Sequence, residues 1–260
     1  MAETETELVT SVERGLAVLA AFHPDRPAMT LSEVAKASDL DRASARRFLH
    51  TLLARGYLRA DGQLFRLHPA VLELGNAYLA ASRLPRIALP YLSDFVGRLN
   101  ESASMAVLQG DQAVCVAYVP SRRLMTAHLT VGSRFPAHRT ALGRVLLAGK
   151  PDEWLEGYLA AGRSGGHPDP AALRAEIASV RRDGWFTADE ENLEAGIRAL
   201  AVPVRDSAGV TIAAIGISSH ADRLSQATLA EAARPALTET AHRIERAYLA
   251  AVPLSAVQRR

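Results

Sequence analysis

Between Thr30 and Leu67 the chain runs through two helix-start signals, a break and a hairpin signal in quick succession, and few folds accept that order. Thr30-Leu31-Ser32-Glu33 places a threonine three residues before a glutamate, so each can satisfy an orphan amide of the other as a capping box. A helix therefore starts at Thr30, with Leu31, Val34 and Ala35 facing inward. Ala37-Ser38-Asp39-Leu40 interrupts the periodicity, and Asp41 offers a second N-cap with Leu40 as a staple. From Arg42 to Arg55, Ala45, Phe48, Leu49, Leu52 and Leu53 recur at the spacing of one buried helical stripe. Gly56 suits a C-cap, after which Tyr57-Leu58-Arg59 and Leu64-Phe65-Arg66-Leu67 alternate around Asp61-Gly62, a two-residue hairpin signal. Helix, tight turn, helix and hairpin together predict a winged helix-turn-helix.

The second helix carries chemistry on its outer side. At about 100° per residue, Arg47, His50 and Thr51 point away from the apolar stripe, Ser44 and Arg46 flank it, and Arg42 projects from the first turn. Arginine can bond guanine edges in a bidentate way, serine can reach bases or phosphates, and a helix amino end favours phosphate. The candidate DNA contacts are Thr30, Ser32, Arg42, Ser44, Arg46, Arg47 and His50, with Arg66 (and its neighbour Arg59) on the wing. Taken alone, a helix with outward arginines is also an ordinary solvated helix. The asymmetry decides for DNA: Arg42 to Arg66 holds six arginines and one acid, Asp61, whereas Glu3, Glu5, Glu7 and Glu13 lie outside it.

A net charge of +2 is too small to argue for nucleic acid by itself, so the placement of the arginines carries the case. At 260 residues, 48% hydrophobic and 22% charged, the chain has ordinary globular chemistry and room for two domains. The single Cys115 excludes an intramolecular disulfide framework and a multi-cysteine zinc site. No apolar run approaches the roughly twenty residues of a membrane span, and an acidic start does not suit a signal peptide. The expectation is a cytoplasmic protein without a membrane partner.

Around the motif, Val12, Leu16, Leu19 and Phe22 share a helical face in the segment Ser11 to Phe22, which is expected to close a three-helix core. After it comes a Pro-rich loop, and after the wing Val71, Leu74, Tyr78 and Ala81 mark a linker helix from Ala70 to Arg83, ending before Pro85. From Ile87 to Asn100 a helix is expected, then alternating strands at Ala103 to Gln109, Ala113 to Val119 and Leu124 to Thr130. Helices at Ala141 to Ala148, Asp152 to Ala160 and Ala171 to Arg182 follow. Strands at Ile197 to Arg205 and Val210 to Ser218 precede a final helix, Ser225 to Leu249. The reading is an α+β two-domain chain: 1–68 a winged helix-turn-helix, 69–84 a linker helix, 85–250 an α/β domain with a mainly antiparallel sheet, and 251–260 a flexible tail.

Several separated motifs now carry a family resemblance. Ser11-Val12-Glu13-Arg14-Gly15-Leu16, Leu31-Ser32-Glu33-Val34-Ala35, the Arg46 to Leu49 region, Phe135 through Ala148, Asp183-Gly184-Trp185, Asp189-Glu190-Glu191 and Gly196 through Ala201 resemble, in order, the IclR family of bacterial transcriptional regulators. The resemblance covers Val9 to Leu249. It implies double-stranded operator DNA as a partner, a linker helix that forms a homodimer and a dimer of dimers, and a C-terminal effector domain of GAF-like fold. Arg122 to Met125, Val131 to Arg134 and Gly143-Arg144-Val145 are most similar to the subgroup that governs aromatic-acid catabolism through the β-ketoadipate pathway.

The resemblance also places a small carboxylic acid against Ala141 and Leu142, Asp189, Glu190 and Glu191, Ile197 and Ala199, and Gly216 with Ser218. The residues partly agree, since Thr140-Ala141-Leu142-Gly143 opens a helix whose amides can bind a carboxylate, and Ser218 offers a hydroxyl. Gly216 replaces a serine and Ala141 a glycine of other members, with Arg134 and His138 as compensating donors. Ala141, Leu142, Ile197 and Ala199 also suit ordinary core. The competing class is a hydrolase-like enzyme with an accessory helical domain, using Asp189, Glu190, Glu191 and Glu194. Against it, no metal-binding His pattern, Cys pair, phosphate loop or serine nucleophile elbow is present, and no cofactor or metal is expected.

Overall fold

The computed structural model describes residues 8–23, 25–122, 129–161, 169–189, 196–223 and 225–251. They fall into two compact units that divide between Ala81 and Ser82.

In the first unit, α1 (Thr10–Ala20) and strand β1 (Met29–Thr30) precede α2 (Leu31–Ala37), α3 (Arg42–Ala54), β2 (Leu58–Asp61), β3 (Leu64–Leu67) and α4 (Val71–Ala81). The capping box forms as expected: Glu33 N donates to Thr30 Oγ1 at 3.4 Å and Thr30 N to Glu33 Oε2 at 2.7 Å. The break is a left-handed turn at Asp39, φ 52°, which brings Asp41 to cap α3 through Ser44 N at 2.9 Å. Val18, Phe22, Met29, Val34, Leu49 and Leu58 form the core, each buried large side chain contributing roughly 1.5–3 kcal/mol by leaving water.

Three expectations need correction here. Val12 and Leu16 are both 58% exposed; of the expected face only Leu19 and Phe22 reach the core, joined there by Val18 of α1 and by Ala21 just beyond it. The hairpin pairs Asp61 with Leu64, so its two-residue loop is Gly62-Gln63, with Gly62 at φ 60° supplying the left-handed turn. The wing gains a third strand, because Met29 pairs with Phe65 and Thr30 with Leu64; two residues are too few to show alternation.

The second unit opens with α5 (Arg83–Leu99), then β4 (Ser102–Gln109), β5 (Gln112–Val119), β6 (Arg134–Pro136), a 3-10 turn (Ala137–Arg139), α6 (Ala141–Ala148), α7 (Asp152–Ala161), α8 (Pro170–Asp183), β7 (Phe186–Asp189), β8 (Ile197–Arg205), β9 (Thr211–His220) and α9 (Gln226–Ala251). The sheet is antiparallel throughout, in the order β6-β5-β4-β9-β8-β7. The expected strand at Leu124 to Thr130 falls mostly outside the described residues, and its described end, Leu129 and Thr130, is not strand. Instead β6 forms the edge, where Pro136 needs no ladder donor. The helix expected from Ile87 begins at Arg83, because Pro85 sits in the first turn, where its missing N–H costs nothing.

The two faces of this sheet differ in side-chain size. On one face Met105, Leu200, Val202, Ile215 and Ile217 meet Leu92 and Phe95 of α5 and Leu229, Leu237 and Ile244 of α9. On the other, Ala106, Ala113, Ala188, Ala199, Ala201 and Ala214 lie under Ala141, Val145 and Leu146 of α6. Small side chains let α6 approach closely, and α7 and α8 pack behind it through Leu147, Leu155, Leu159, Leu173 and Ile177.

Candidate DNA-recognition helix and effector-binding face

On α3 the cap and the buried stripe fix which residues face out. Ala45 and Leu49 are fully buried, while Arg42, Arg46, Arg47 and His50 are exposed and Ser44 is half-buried. Among the described residues, none of the side chains of Arg42, Arg46, Arg47 and His50 has a hydrogen-bond or ion-pair partner. Asp41, the acid closest to them in sequence, is committed to the helix end, and its hydrogen bonds from the Ser44 hydroxyl and amide hold its carboxyl below the usual range. Ser32 is exposed on α2, but the Thr30 hydroxyl is spent on Glu33 Oε2 at 2.8 Å. On the wing Arg59 pairs directly with Arg66 across β2 and β3, a like-charge neighbourhood that favours an external anion.

In the second unit the register decides which candidates meet. Ile197 pairs with His220, Ala199 with Ser218 and Ala201 with Gly216, while Gly216 also pairs with Ser104, and Ser218 with Ser102. Directly paired residues share a face, so these side chains stand on the α6 side. Ala141 and Leu142 come down onto that side from the first turn of α6, whose Thr140 cap accepts from Gly143 N at 2.9 Å. The fit is close: a carbon added at Gly216 would lie 2.9 Å from Leu200 O and 3.0 Å from Leu142 Cδ2. Six of the expected effector residues, Ala141, Leu142, Ile197, Ala199, Gly216 and Ser218, thus share one face.

The other expected contacts separate. Arg134 is on the edge strand β6, exposed, with Nη1 donating to Gln109 Oε1 at 2.7 Å. Two strands, β5 and β4, stand between it and Gly216. His138 is 6% exposed, with Nδ1 3.0 Å from the Tyr158 hydroxyl between α6 and α7; burial pushes the Tyr158 phenol up to about 12. Neither stands on the sheet strand that carries Gly216 and Ser218. Asp189 ends β7, pairing with Arg198, and Glu190, Glu191 and Glu194 lie outside the described residues. The return from that segment is pinned: Ala221 N donates to Gly196 O at 2.6 Å and Arg198 Nη1 to Ala221 O at 2.9 Å.

Sequence reading missed the polar residues that the register adds to this face, Ser102, Ser104, Tyr118 and His220. Strand alternation gives their parity, but only the pairing with β9 shows that the shared side is the one under α6. Arg144, one turn into α6, reaches Glu176 Oε2 at 2.7 Å without hydrogen-bond alignment and lies 5.0 Å over the Phe186 ring, joining α6 to α8 and β7. Burial raises the Cys115 thiol to about 11, so it stays neutral and inert at physiological pH. Among the described residues no cluster of three metal-ligating side chains occurs, and no helix is long and apolar enough to cross a membrane.

Two family models match the chain: an IclR helix-turn-helix domain over residues 11–62 and a bacterial transcriptional regulator IclR C-terminal domain over residues 76–246. The chain belongs to the IclR family. It is 39% identical, over 90% of its length and 82% of the relative's, to a Pca regulon regulatory protein of Pseudomonas putida. It is 32% identical to the p-hydroxybenzoate hydroxylase transcriptional activator of Acinetobacter baylyi, covering 93% of each chain. Among solved structures it is similar to an IclR homologue of Microbacterium hydrocarbonoxydans complexed with 4-hydroxybenzoate, at 28% identity and a TM-score of 0.75, covering 91% of this chain and 98% of that one. A regulator structure from Rhodococcus sp. RHA1 matches at 43% identity and a TM-score of 0.79, over 95% of this chain and all of the other. The IclR protein described here is a transcriptional regulator with a helix-turn-helix and an α+β effector domain, and the enzyme alternative finds no support among its relatives.

Proposed function

We propose that this IclR-family regulator binds a palindromic operator in the cytoplasm as a homodimer or a pair of dimers, and that a small carboxylic acid, aromatic in class, sets its affinity for that operator. It would thereby govern genes of aromatic-compound catabolism. The observation that carries the DNA half is the exposed row Arg42, Arg46, Arg47 and His50, cations and a donor left without partners on a doubly supported helix. The effector half rests on the small-residue face beneath the first turn of α6, where the Leu142 amide and the Ser218 hydroxyl offer donors to a carboxylate. The names of the Pseudomonas and Acinetobacter relatives and the 4-hydroxybenzoate complex support the aromatic class.

Two apolar surfaces support the dimer. Val12 and Leu16 of α1, with Val9 at its N-cap, form an exposed stripe, and Leu72, Leu74 and Tyr78 are each at least half exposed on α4. Ligand binding would then act as a population shift: the acid favours one placement of the subunits, and that placement sets the spacing of the two α3 helices on DNA.

A gel-shift titration with the gene's own upstream DNA tests the reading. Arg47→Ala should weaken operator binding by about 1–3 kcal/mol if the guanidinium reads a base. No retardation by the wild-type protein at low salt, where nonspecific binding is strongest, would sink the proposal. A thermal-shift screen of aromatic and aliphatic acids identifies the effector, because a ligand of the folded state raises the melting temperature by mass action.

A further inference from the structure

The sheet face beneath α6 holds more hydroxyl chemistry than a carboxylate needs. Across four strands one row runs Ala201, Gly216, Ser104, Tyr118, each paired directly with the next. The first two positions offer no polar side chain and the last two offer hydroxyls. Ser104 is only 3% exposed, yet its hydroxyl has no hydrogen-bond partner among the described residues. Ser104 Oγ is not among the fully buried atoms that lack a partner, so this hydroxyl keeps an opening and is free to bond a group that comes from elsewhere. Tyr118 is half-buried, and its phenol likewise has no partner among the described residues.

Gly216, directly opposite Ser104, puts no side chain beside the serine hydroxyl, and the room above the glycine itself is taken by Leu142. The neighbouring serine differs: Ser102 Oγ already accepts from Ser121 N at 3.0 Å. Two strand spacings, roughly 10 Å, separate Gly216 on β9 from Tyr118 on β5. A ring acid with a polar substituent on its far side fits that span, its carboxylate towards the first turn of α6 and its substituent towards β4 and β5.

We propose that Ser104 and Tyr118 are specificity-determining residues that together bind a hydroxyl or carbonyl group on the effector at the end away from its carboxylate. The inference rests on the effector reading above and adds to it: these two hydroxyls select an acid with a second polar group over the same acid without one. Ser104 can donate or accept, and the Tyr118 phenol can do the other, so a ligand hydroxyl finds both partners. A site shaped to bond a hydroxyl discriminates against the analogue that lacks it, because its own groups are then left unpaired.

Isothermal titration of the full-length protein with 4-hydroxybenzoate and with benzoate tests this. The wild type should prefer 4-hydroxybenzoate by roughly tenfold or more. Ser104→Ala and Tyr118→Phe remove the hydroxyls with little change of shape, and each should reduce that preference several-fold while leaving the benzoate affinity nearly unchanged. Melting temperatures of the unliganded variants, close to that of the wild type, would confirm that the fold is kept. An equal preference in the wild type and both variants overturns the assignment of these two residues, as does a wild type that binds both acids alike. If the wild type binds neither acid, the aromatic-acid reading itself falls and this inference with it.

Discussion

Gly143→Ala sets two effects against each other, and the structure decides the sign. Because Gly143 lies within α6, helix propensity alone favours alanine by roughly 0.5–1 kcal/mol. Packing opposes it: a carbon added there would lie 2.0 Å from Ala137 O and 2.5 Å from Ala137 Cα. The oxygen contact falls short of an ordinary 3.4 Å separation by about 1.4 Å, and the clashing atoms are backbone, so no rotamer relieves it. Either the 3-10 turn retreats and draws His138 from Tyr158, or α6 shifts and weakens the Thr140 cap. Overpacking costs roughly 1–3 kcal/mol, and the 2.0 Å backbone contact puts this site at the upper end, so about 2 kcal/mol of net destabilisation remains after the propensity gain, about 1 kcal/mol more if the cap is also lost. Both tryptophans, Trp154 and Trp185, belong to the second unit, so urea unfolding followed by their fluorescence reads this unit selectively. With a typical slope of about 2–3 kcal/mol/M the midpoint should fall by about 1 M. An unchanged or higher midpoint would show that the turn and α6 are not locked together, and would refute the argument.

Two further outcomes follow from the first unit. The carboxyl of Glu33 is held below its usual range by hydrogen bonds from the Thr30 amide and hydroxyl, so its contribution is present above the unfolded-state value of about 4.3 and is lost as pH falls through the lowered folded value. Glu33→Gln should therefore be less stable than wild type near neutral pH and indistinguishable from it in acid; a difference that persists in acid contradicts the capping role. Arg66→Gln should weaken operator and unrelated DNA alike and reduce the slope of log affinity against log salt by about 1, measured by fluorescence anisotropy. A loss confined to one sequence would move Arg66 from phosphate contact to base reading.

The helix-turn-helix was legible in the sequence because its determinants are local. Thr30 and Glu33 are three residues apart, Asp41 and Ser44 likewise, and each pair bonds as its spacing requires. The long strands β4, β5, β8 and β9 were legible through alternation. What escaped reading was short or nonlocal. Strands β1, β6 and β7 have two to four residues each, too few for a period, and lie at or near sheet edges. The inward face of α1 was half misread because Val12 and Leu16 fit the same helical stripe as Leu19 and Phe22, and composition does not tell the part of a stripe that is buried from the part that is exposed. On the sheet face under α6, Ala199, Gly216 and Ser218 were expected together from the resemblance, whereas Ser104 and Tyr118 join them only through pairings between β9, β4 and β5 that no local spacing encodes.

The unequal faces of the second unit's sheet separate two kinds of constraint. Leucine, isoleucine, valine and phenylalanine on the α5 and α9 side contribute most of the apolar burial, where loss of a large side chain costs roughly 2–5 kcal/mol. The α6 side is alanine, glycine and serine, where exchanging one small residue for another removes little buried area. Exchanges on this face that add no carbon at Gly143 or Gly216 therefore draw little on the reserve that keeps the domain folded. A sensor divided in this way can exchange one effector for another by single small substitutions while its scaffold, and the recognition helix it serves, remain as they were.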